Sequence, residues 1–223
     1  MNISLADGGL QLTGFLAEQR LQATATYFAN HYPFGTKLLL NDTLSIPSGK
    51  WKTTANCTYQ GGALHVSVAS SQTFYPCVST YTPFFDSRKE YTYEVVLKQM
   101  DASAAGLIFD DESDEHYYHF FLMSGDGRYV LATHDDLRPQ DAYQEIASGQ
   151  LPGRLSFPLR LGVVVITDTR LELYINGSKL AQVSDDTAGA VGDLGVVVFN
   201  NQGKKGAWAD FVNAQCWAHQ SDL

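Results

Sequence analysis

From about residue 37 onward, apolar and polar residues alternate in short runs, which is the two-residue period of β-strands. Turn residues separate these runs, and Asn176-Gly177 between two alternating segments is the clearest hairpin signal. The runs predict strands at Ala63–Val68, Cys77–Tyr81, Tyr91–Lys98, Ala105–Phe109, Tyr117–Met123, Tyr129–Thr133, Leu159–Ile166, Arg170–Ile175, Leu180–Val183, Gly195–Phe199 and Trp208–Cys216. Because no helical pattern separates these strands, they indicate an all-β sandwich or barrel rather than an α/β fold.

The first 35 residues follow a different pattern, with Ala and Leu at loosely helical spacing and no strand alternation. We predict a short N-terminal helix or linker over residues 1–35 and one β-sandwich domain over residues 36–218. No stretch contains the roughly 18 to 20 apolar residues of a membrane-spanning helix. Residues 1–12 also lack the basic and apolar regions of a secretion signal. Taken alone, these observations favour a cytoplasmic location; the alternative is an anchor or export signal that lies outside this sequence.

The formal net charge of −9 changes the range of expected partners. Neutralising nucleic-acid phosphates or anionic lipid headgroups requires clustered Lys and Arg, so both partners are disfavoured. The 12 Tyr, 12 Phe and 3 Trp residues are a heavy aromatic load, which favours strands over helices. We place the three Trp residues in the core, because Trp near the ends of sandwich strands usually fills it. The alternative is that they are exposed platforms for sugar rings.

Cys57 and Cys77 bracket a predicted strand pair that turns at Gly61-Gly62. This arrangement allows the two cysteines to approach each other. A disulfide closing a loop of this length would contribute about 3 kcal/mol. Two buried free thiols are the alternative. Cys216, beside Trp217, is interpreted as a small buried hydrophobic residue.

Several segments resemble recurrent motifs of one fold family. Ala105–Phe109 followed by His116–Tyr129 resembles a Gly-hydrophobic-hydrophobic-Phe strand, then a Tyr-Tyr-hydrophobic strand and an Asp-Gly-x-Tyr hairpin. Leu171–Gly177 resembles a Tyr-Val-Asn-Gly hairpin, and Ala188–Val198 resembles a closing strand. In this order the motifs are similar to those of concanavalin-A-like, or laminin-G-like, jelly-roll domains. Asp110 departs from the family pattern, which often has Arg at that position.

The resemblance extends upstream over residues 24–77, which are similar to bacterial extracytoplasmic domains of the same superfamily. Such domains follow a membrane anchor and a Thr/Ala-rich linker, sometimes on receptor-type Ser/Thr kinases. The resemblance implies a two-sheet antiparallel jelly roll, a location outside the cytoplasm and a Cys57–Cys77 disulfide. It does not fix the function, because this fold carries lectins, glycanases and receptor domains.

An acidic cluster over residues 110–115 is a candidate metal site. Its carboxylates, Asp110, Asp111 and Asp114 above all, are the hard oxygen ligands that Ca²⁺ prefers. We therefore consider a Ca²⁺ cofactor at this loop. The alternative is a solvated turn whose charges oppose association between sheet edges.

Strand alternation also yields a candidate ligand groove. Arg170, Glu172 and Tyr174 point away from the core-facing Leu171 and Leu173, and Glu94 points away from the core-facing Tyr93 and Val95. A groove for sugar rings or peptides is predicted to contain Glu94, Tyr117, His119, Arg128, Glu172 and Tyr174. The alternative is that these residues cover a second small core under residues 133–158.

Three functions remain open at this point. A non-catalytic extracytoplasmic module that binds carbohydrate or a cell-envelope component is the leading hypothesis. A glycan-active hydrolase is the second, although Glu112-Ser113-Asp114-Glu115-His116-Tyr117 departs from the Glu-x-Asp-x-x-Glu motif of jelly-roll glucanases by placing Tyr at the last position. A structural subunit of a surface or phage-like particle is the third.

Overall fold

The computed structural model describes residues 37–70, 72–80, 90–112, 117–135, 143–152, 155–167, 170–185, 192–201 and 204–218, without the side chains of residues 110–112, 117, 118, 135 and 167. The β-sandwich lies in the unit Pro33–Leu223. The predicted helix or linker over residues 1–35 lies outside the described residues. Within the ranges described, no helix is long and apolar enough to cross a membrane.

The described residues form fourteen strands. In chain order they are β1 (Lys37–Asp42), β2 (Cys57–Gln60), β3 (Ala63–Val68), β4 (Phe74–Val78), β5 (Tyr91–Asp101), β6 (Ala104–Glu112), β7 (Tyr117–Ser124), β8 (Arg128–Asp135), β9 (Gln144–Gln150), β10 (Leu159–Thr167), β11 (Arg170–Ile175), β12 (Ser178–Ser184), β13 (Asp193–Phe199) and β14 (Ala207–Ala218). The predicted all-β class is confirmed.

The strands pair into two antiparallel sheets. The eight-stranded sheet has the order β12-β11-β10-β5-β14-β3-β2, and β1 pairs with the far half of β14, beyond the half that pairs with β3. The six-stranded sheet has the order β4-β13-β6-β7-β8-β9. Neighbours in both sheets are often distant in sequence, as in the β14–β5 pair, which is typical of a jelly roll and unlike a simple meander. The predicted two-sheet jelly-roll sandwich is therefore confirmed.

The main core lies between the two sheets and is built by strand alternation. On β5, Tyr91, Tyr93, Val95 and Leu97 face it, as predicted from their two-residue spacing. Tyr93 also joins the sheets, because its buried hydroxyl donates a hydrogen bond to the Gly195 carbonyl of β13 at 3.0 Å. Burial raises the pKa of Tyr93 well above its usual value, so this donor stays protonated.

A second apolar cluster lies on the other face of the six-stranded sheet. Phe121 and Met123 of β7 point into the main core, so Phe120 and Leu122 point the opposite way. Phe120 packs edge-to-face on Phe74 and Phe199, with ring centroids 5.7 and 5.3 Å apart. Both faces of β7 are therefore apolar, as expected for a central strand.

The hairpin predicted at Asn176-Gly177 forms between β11 and β12. Both residues have positive φ, 51° and 78°, the conformation that a type I′ turn requires. The strand predicted at Cys77–Tyr81 is also present, but it is shifted by three residues toward the N-terminus and spans Phe74–Val78, as β4. β1 and β9 are absent from the predicted strands, because neither has strong apolar alternation.

Candidate functional site

The structure brings three residues of the predicted groove together on the outer face of the eight-stranded sheet. Glu94 lies on β5, and Glu172 and Tyr174 lie on β11. The two strands flank β10, whose Gly162 is opposite both Glu94 and Tyr174. Glu94 is 3% exposed and Glu172 is 8% exposed, so this face is covered at these positions.

The buried carboxylates of Glu94 and Glu172 each contact a cation, and Glu172 also accepts a hydrogen bond from a hydroxyl. The Tyr174 hydroxyl donates to Glu172 Oε2 at 2.6 Å, and the Lys179 ammonium contacts Glu172 Oε1. Arg160 Nε lies 3.4 Å from Glu94 Oε1. Burial, followed by the hydrogen bond to Glu172, raises the pKa of Tyr174 far above its usual value. Paired charges of this kind are the usual way in which sheets tolerate buried carboxylates.

The other predicted groove residues lie elsewhere, so the groove as predicted is wrong. His119 belongs to the other sheet and shares its face with Phe121, which places it at the main core. Its Nε2 lies 2.9 Å from Asp185 Oδ2, and its ring stacks on Phe109. The two-residue alternation along a strand shows which residues share a face, but it does not show which sheet the strand joins.

Arg128 is also remote from the Glu94 and Glu172 carboxylates. It is exposed at the β7–β8 hairpin, where its Nη2 donates to Glu145 Oε2 at 2.6 Å. The hydrogen bond from Ser148 and the Arg128 charge lower the pKa of Glu145. The side chain of Tyr117 lies outside the described residues.

The predicted Ca²⁺ site falls largely outside the described side chains. Asp110 and Asp111 are the two residues before the end of strand β6, at Glu112, rather than part of a loop, and Asp114 lies in an undescribed range. Among the residues that can be examined, no group of three or more His, Cys, Asp or Glu is placed to hold a metal ion. Ca²⁺ binding stays a prediction.

Cys57 and Cys77 form a disulfide, which confirms the predicted pairing. Cys57 lies on β2 of the eight-stranded sheet and Cys77 on β4 of the six-stranded sheet, with Cα atoms 5.9 Å apart. The bond therefore links the two layers of the sandwich. Cys216 is a free buried thiol in the main core, as predicted, and burial raises its pKa far above its usual value.

Two of the three Trp residues lie outside the core, which differs from the prediction. Trp51 is in the main core as predicted. Trp208 and Trp217 are not, because on β14 the core-facing positions are Ala207, Ala209, Phe211, Ala214 and Cys216. Both indoles are partly exposed on the outer face of the eight-stranded sheet. The alternation of small or apolar residues around Trp208 was the sequence signal that could have shown this.

Trp208 belongs to a polar and aromatic surface that the sequence prediction missed. The surface consists of Trp208, His65, Asp210 and Gln99, and we call it the Trp208 surface. In the sheet register, Asp210 of β14 is opposite His65 of β3 on one side and Gln99 of β5 on the other. The His65 ring stacks beside the Trp208 indole, with centroids 5.5 Å apart and planes inclined by 29°.

Hydrogen bonds fix the side chains of the Trp208 surface. His65 Nδ1 lies 2.7 Å from Asp210 Oδ1, and Gln99 Nε2 donates to Asp210 Oδ2 at 2.7 Å. The His65 side chain is 19% exposed, so it remains partly accessible to solvent. An aromatic platform bordered by oriented polar groups is an arrangement that can bind a sugar ring.

A separate cleft of about 450 Å³ opens beside the edge strand β4. It is lined by Lys52, Thr54, Tyr75, Pro76, Cys77, Val78, Ser79, Thr80 and Asp193. In its lining, the Tyr75 hydroxyl and the Thr54 hydroxyl are hydrogen-bonded at 2.8 Å. The volume is within the usual range for small-molecule sites, so the cleft is a second candidate.

No protein-family model and no curated protein sequence matches this chain. Solved structures do match. The carbohydrate binding module CBM66 from Bacillus subtilis has a TM-score of 0.60 and 16% identity, over 76% of this chain and 96% of that one. A β-glucanase from Bacillus licheniformis has a TM-score of 0.59 and 10% identity, over 82% of this chain and 99% of that one.

A protein of unknown function with a galectin-like fold, from Bacillus subtilis, is also similar. Its TM-score is 0.55 at 15% identity, over 83% of this chain and 99% of that one. These identities are too low to transfer an activity, so the similarities establish the fold alone. The chain therefore has the concanavalin-A-like jelly-roll fold, in which both binding modules and glycoside hydrolases occur.

Proposed function

We propose that this protein is a non-catalytic, extracytoplasmic carbohydrate-binding module whose ligand lies on the Trp208 surface. The observation that supports this most is the partly exposed Trp208 indole beside His65, Asp210 and Gln99, whose orientations are fixed by hydrogen bonds. Aromatic rings with polar neighbours bind the apolar face and the hydroxyl groups of a sugar together. The jelly-roll similarity to a carbohydrate binding module agrees with this function.

A location outside the cytoplasm is part of the proposal. The Cys57–Cys77 disulfide supports it, because disulfides persist in oxidising compartments and are rare in the cytosol. We further propose, from the resemblance of residues 24–77 to bacterial extracytoplasmic domains, that the module follows a membrane anchor and senses a cell-envelope glycan. The negative charge of −9 argues against a nucleic-acid ligand.

Affinity electrophoresis in gels that contain a single polysaccharide tests this proposal. We expect at least one polysaccharide to retard the wild-type protein and Trp208→Ala to abolish the retardation. Trp217→Ala is the matched control, because Trp217 lies on the same strand and the same face but away from His65. It should leave the retardation unchanged. Thermal unfolding of each variant shows that the fold is retained.

The cleft beside β4 provides the competing site. Tyr75→Ala removes its aromatic wall and should leave binding unchanged if the ligand lies on the Trp208 surface. Loss of binding in Tyr75→Ala, with binding retained in Trp208→Ala, would move the site to the cleft. No retardation by any polysaccharide would refute the carbohydrate proposal.

A glycoside hydrolase is the second candidate, and one observation favours it. Glu94 and Glu172 are buried carboxylates on the same face, and their strands flank β10 with a register offset of two residues, so their backbones lie roughly 12 Å apart across the sheet. Hydrolysis requires two carboxylates that face one glycosidic bond. Release of reducing sugar by the wild type but not by Glu94→Gln or Glu172→Gln would establish this activity.

A further inference from the structure

The hydrogen-bonding polarity of the Trp208 surface restricts which ligands fit. An ionised carboxylate only accepts hydrogen bonds, so the 2.7 Å contact with Asp210 Oδ1 places a proton on His65 Nδ1. In the neutral imidazole, Nε2 is then an acceptor. No other hydrogen bond of His65 is present in the described part of the chain. His65 therefore presents an acceptor beside the indole.

Gln99 presents a second acceptor by the same reasoning. Its amide nitrogen, Nε2, donates to Asp210 Oδ2 at 2.7 Å, so its carbonyl oxygen is directed away from Asp210. Gln99 is exposed, and within the described residues no hydrogen bond engages its Oε1, which can accept one. Asp210 thus orients both neighbours and leaves an acceptor on each side of it.

Two of the described cations near this surface are already engaged. The Lys98 ammonium donates to the Gly61 carbonyl at 3.0 Å, and the Lys204 ammonium contacts the Asp101 carboxylate. A ligand carboxylate or sulfate would meet the two acceptors and the Asp210 charge instead. Acceptor facing acceptor is repulsive, and the net charge of −9 adds to the repulsion of a polyanion.

We propose, on the basis of the function above, that the Trp208 surface selects a neutral saccharide. Two hydroxyl groups of the sugar donate hydrogen bonds, one to His65 Nε2 and one to Gln99 Oε1, while the sugar ring packs on the Trp208 indole. Asp210 is a positioning residue, because it acts through His65 and Gln99. Uronate-containing and sulfated glycans are excluded.

The test compares neutral and acidic polysaccharides in affinity gels at about pH 8, above the ordinary titration range of imidazole. Neutral β-glucan, mannan and fructan are compared with alginate, pectate and chondroitin sulfate. We expect retardation by at least one neutral polysaccharide and by none of the acidic ones. His65→Ala and Gln99→Ala should each weaken binding of the neutral ligand about tenfold. Gln215→Ala is the control, because Gln215 is a glutamine of β14 that bonds Asn41, away from His65.

Two further measurements test whether hydrogen-bond donation by the ligand determines binding, as opposed to a substitution that only disturbs the fold. A permethylated form of the bound oligosaccharide retains the ring but has no hydroxyl donors, so it should lose binding at least tenfold. Asp210→Asn removes the charge that fixes the His65 proton, and it should reduce the preference for the neutral ligand while the thermal stability stays near that of the wild type.

The outcomes distinguish this proposal from the function on which it rests. Binding of an acidic polysaccharide that Trp208→Ala abolishes would overturn the selectivity and leave the carbohydrate-binding function intact. Equal binding of the permethylated oligosaccharide would overturn it as well. Absence of binding to every polysaccharide would refute the function itself.

Discussion

Tyr174 shows how one residue links burial to pH dependence. Its hydroxyl is buried against Glu172, and burial raises its pKa above the value of about 10 that an unfolded chain has. The unfolded state therefore loses this proton first as the pH rises. The Tyr174 hydroxyl therefore makes its full contribution to the free energy of unfolding below pH 10. Above pH 10 this contribution decreases, by at most about 1.4 kcal/mol per pH unit for one group.

We expect Tyr174→Phe to make the free energy of unfolding less dependent on pH above pH 10. The variant has no hydroxyl to titrate at position 174, so the part of the pH dependence that Tyr174 contributes is absent. At pH 8 it should be less stable by about 1 to 3 kcal/mol, because Glu172 loses a buried donor. Urea unfolding at pH 8 and pH 11 measures both effects. An unchanged alkaline slope would show that Tyr174 does not titrate as described.

Gly106 is a position where a single methyl group matters. A Cβ at this residue of β6 would lie 1.9 Å from the Phe121 carbonyl oxygen of β7, so the two backbones would have to separate. We expect Gly106→Ala to cost about 3 kcal/mol or more in unfolding free energy. Gly125→Ala is the control, because its Cβ would meet only the Met100 methyl at 3.9 Å. Equal stabilities of the two variants would contradict the close approach of β6 and β7.

At the scale of elements, the disulfide joins β2 of one sheet to β4 of the other. Its cysteines are 20 residues apart, a loop for which cross-linking contributes about 3 kcal/mol. The double variant Cys57→Ala/Cys77→Ala should therefore unfold roughly 6 to 12 °C lower in a domain of this size. A reductant should lower the melting temperature of the wild type and leave that of the variant unchanged. Insensitivity of the wild type would contradict a structural role.

The sequence predicts individual strands better where one face is apolar. The β11–β12 hairpin was predictable from alternating apolar residues and Asn176-Gly177, and the core-facing side of β5 was predictable from its spacing. β9 was missed because its sequence, QEIASGQ, is mostly polar. Among the described strands it is an edge strand that pairs only with β8, so little of it needs to be apolar.

At the scale of the whole molecule, the candidate site depends on the order of strands in the sheet. His65 and Asp210 are 145 residues apart and meet because β3 pairs with β14. Gln99 joins them because β5 pairs with the other edge of β14. Alternation shows which residues share a face of one strand, but it contains no information on these distant pairings. The same limit led to the grouping of His119 with Glu94, which lie in different sheets.

Tryptophan fluorescence reports directly on ligand binding at the Trp208 surface. Trp51 is buried in the main core, whereas Trp208 and Trp217 are partly exposed. Titration with a neutral oligosaccharide should change the emission of the wild type in a saturable way. The change should persist in Trp217→Phe and vanish in Trp208→Phe. A saturable change that persists in Trp208→Phe would contradict binding at this surface.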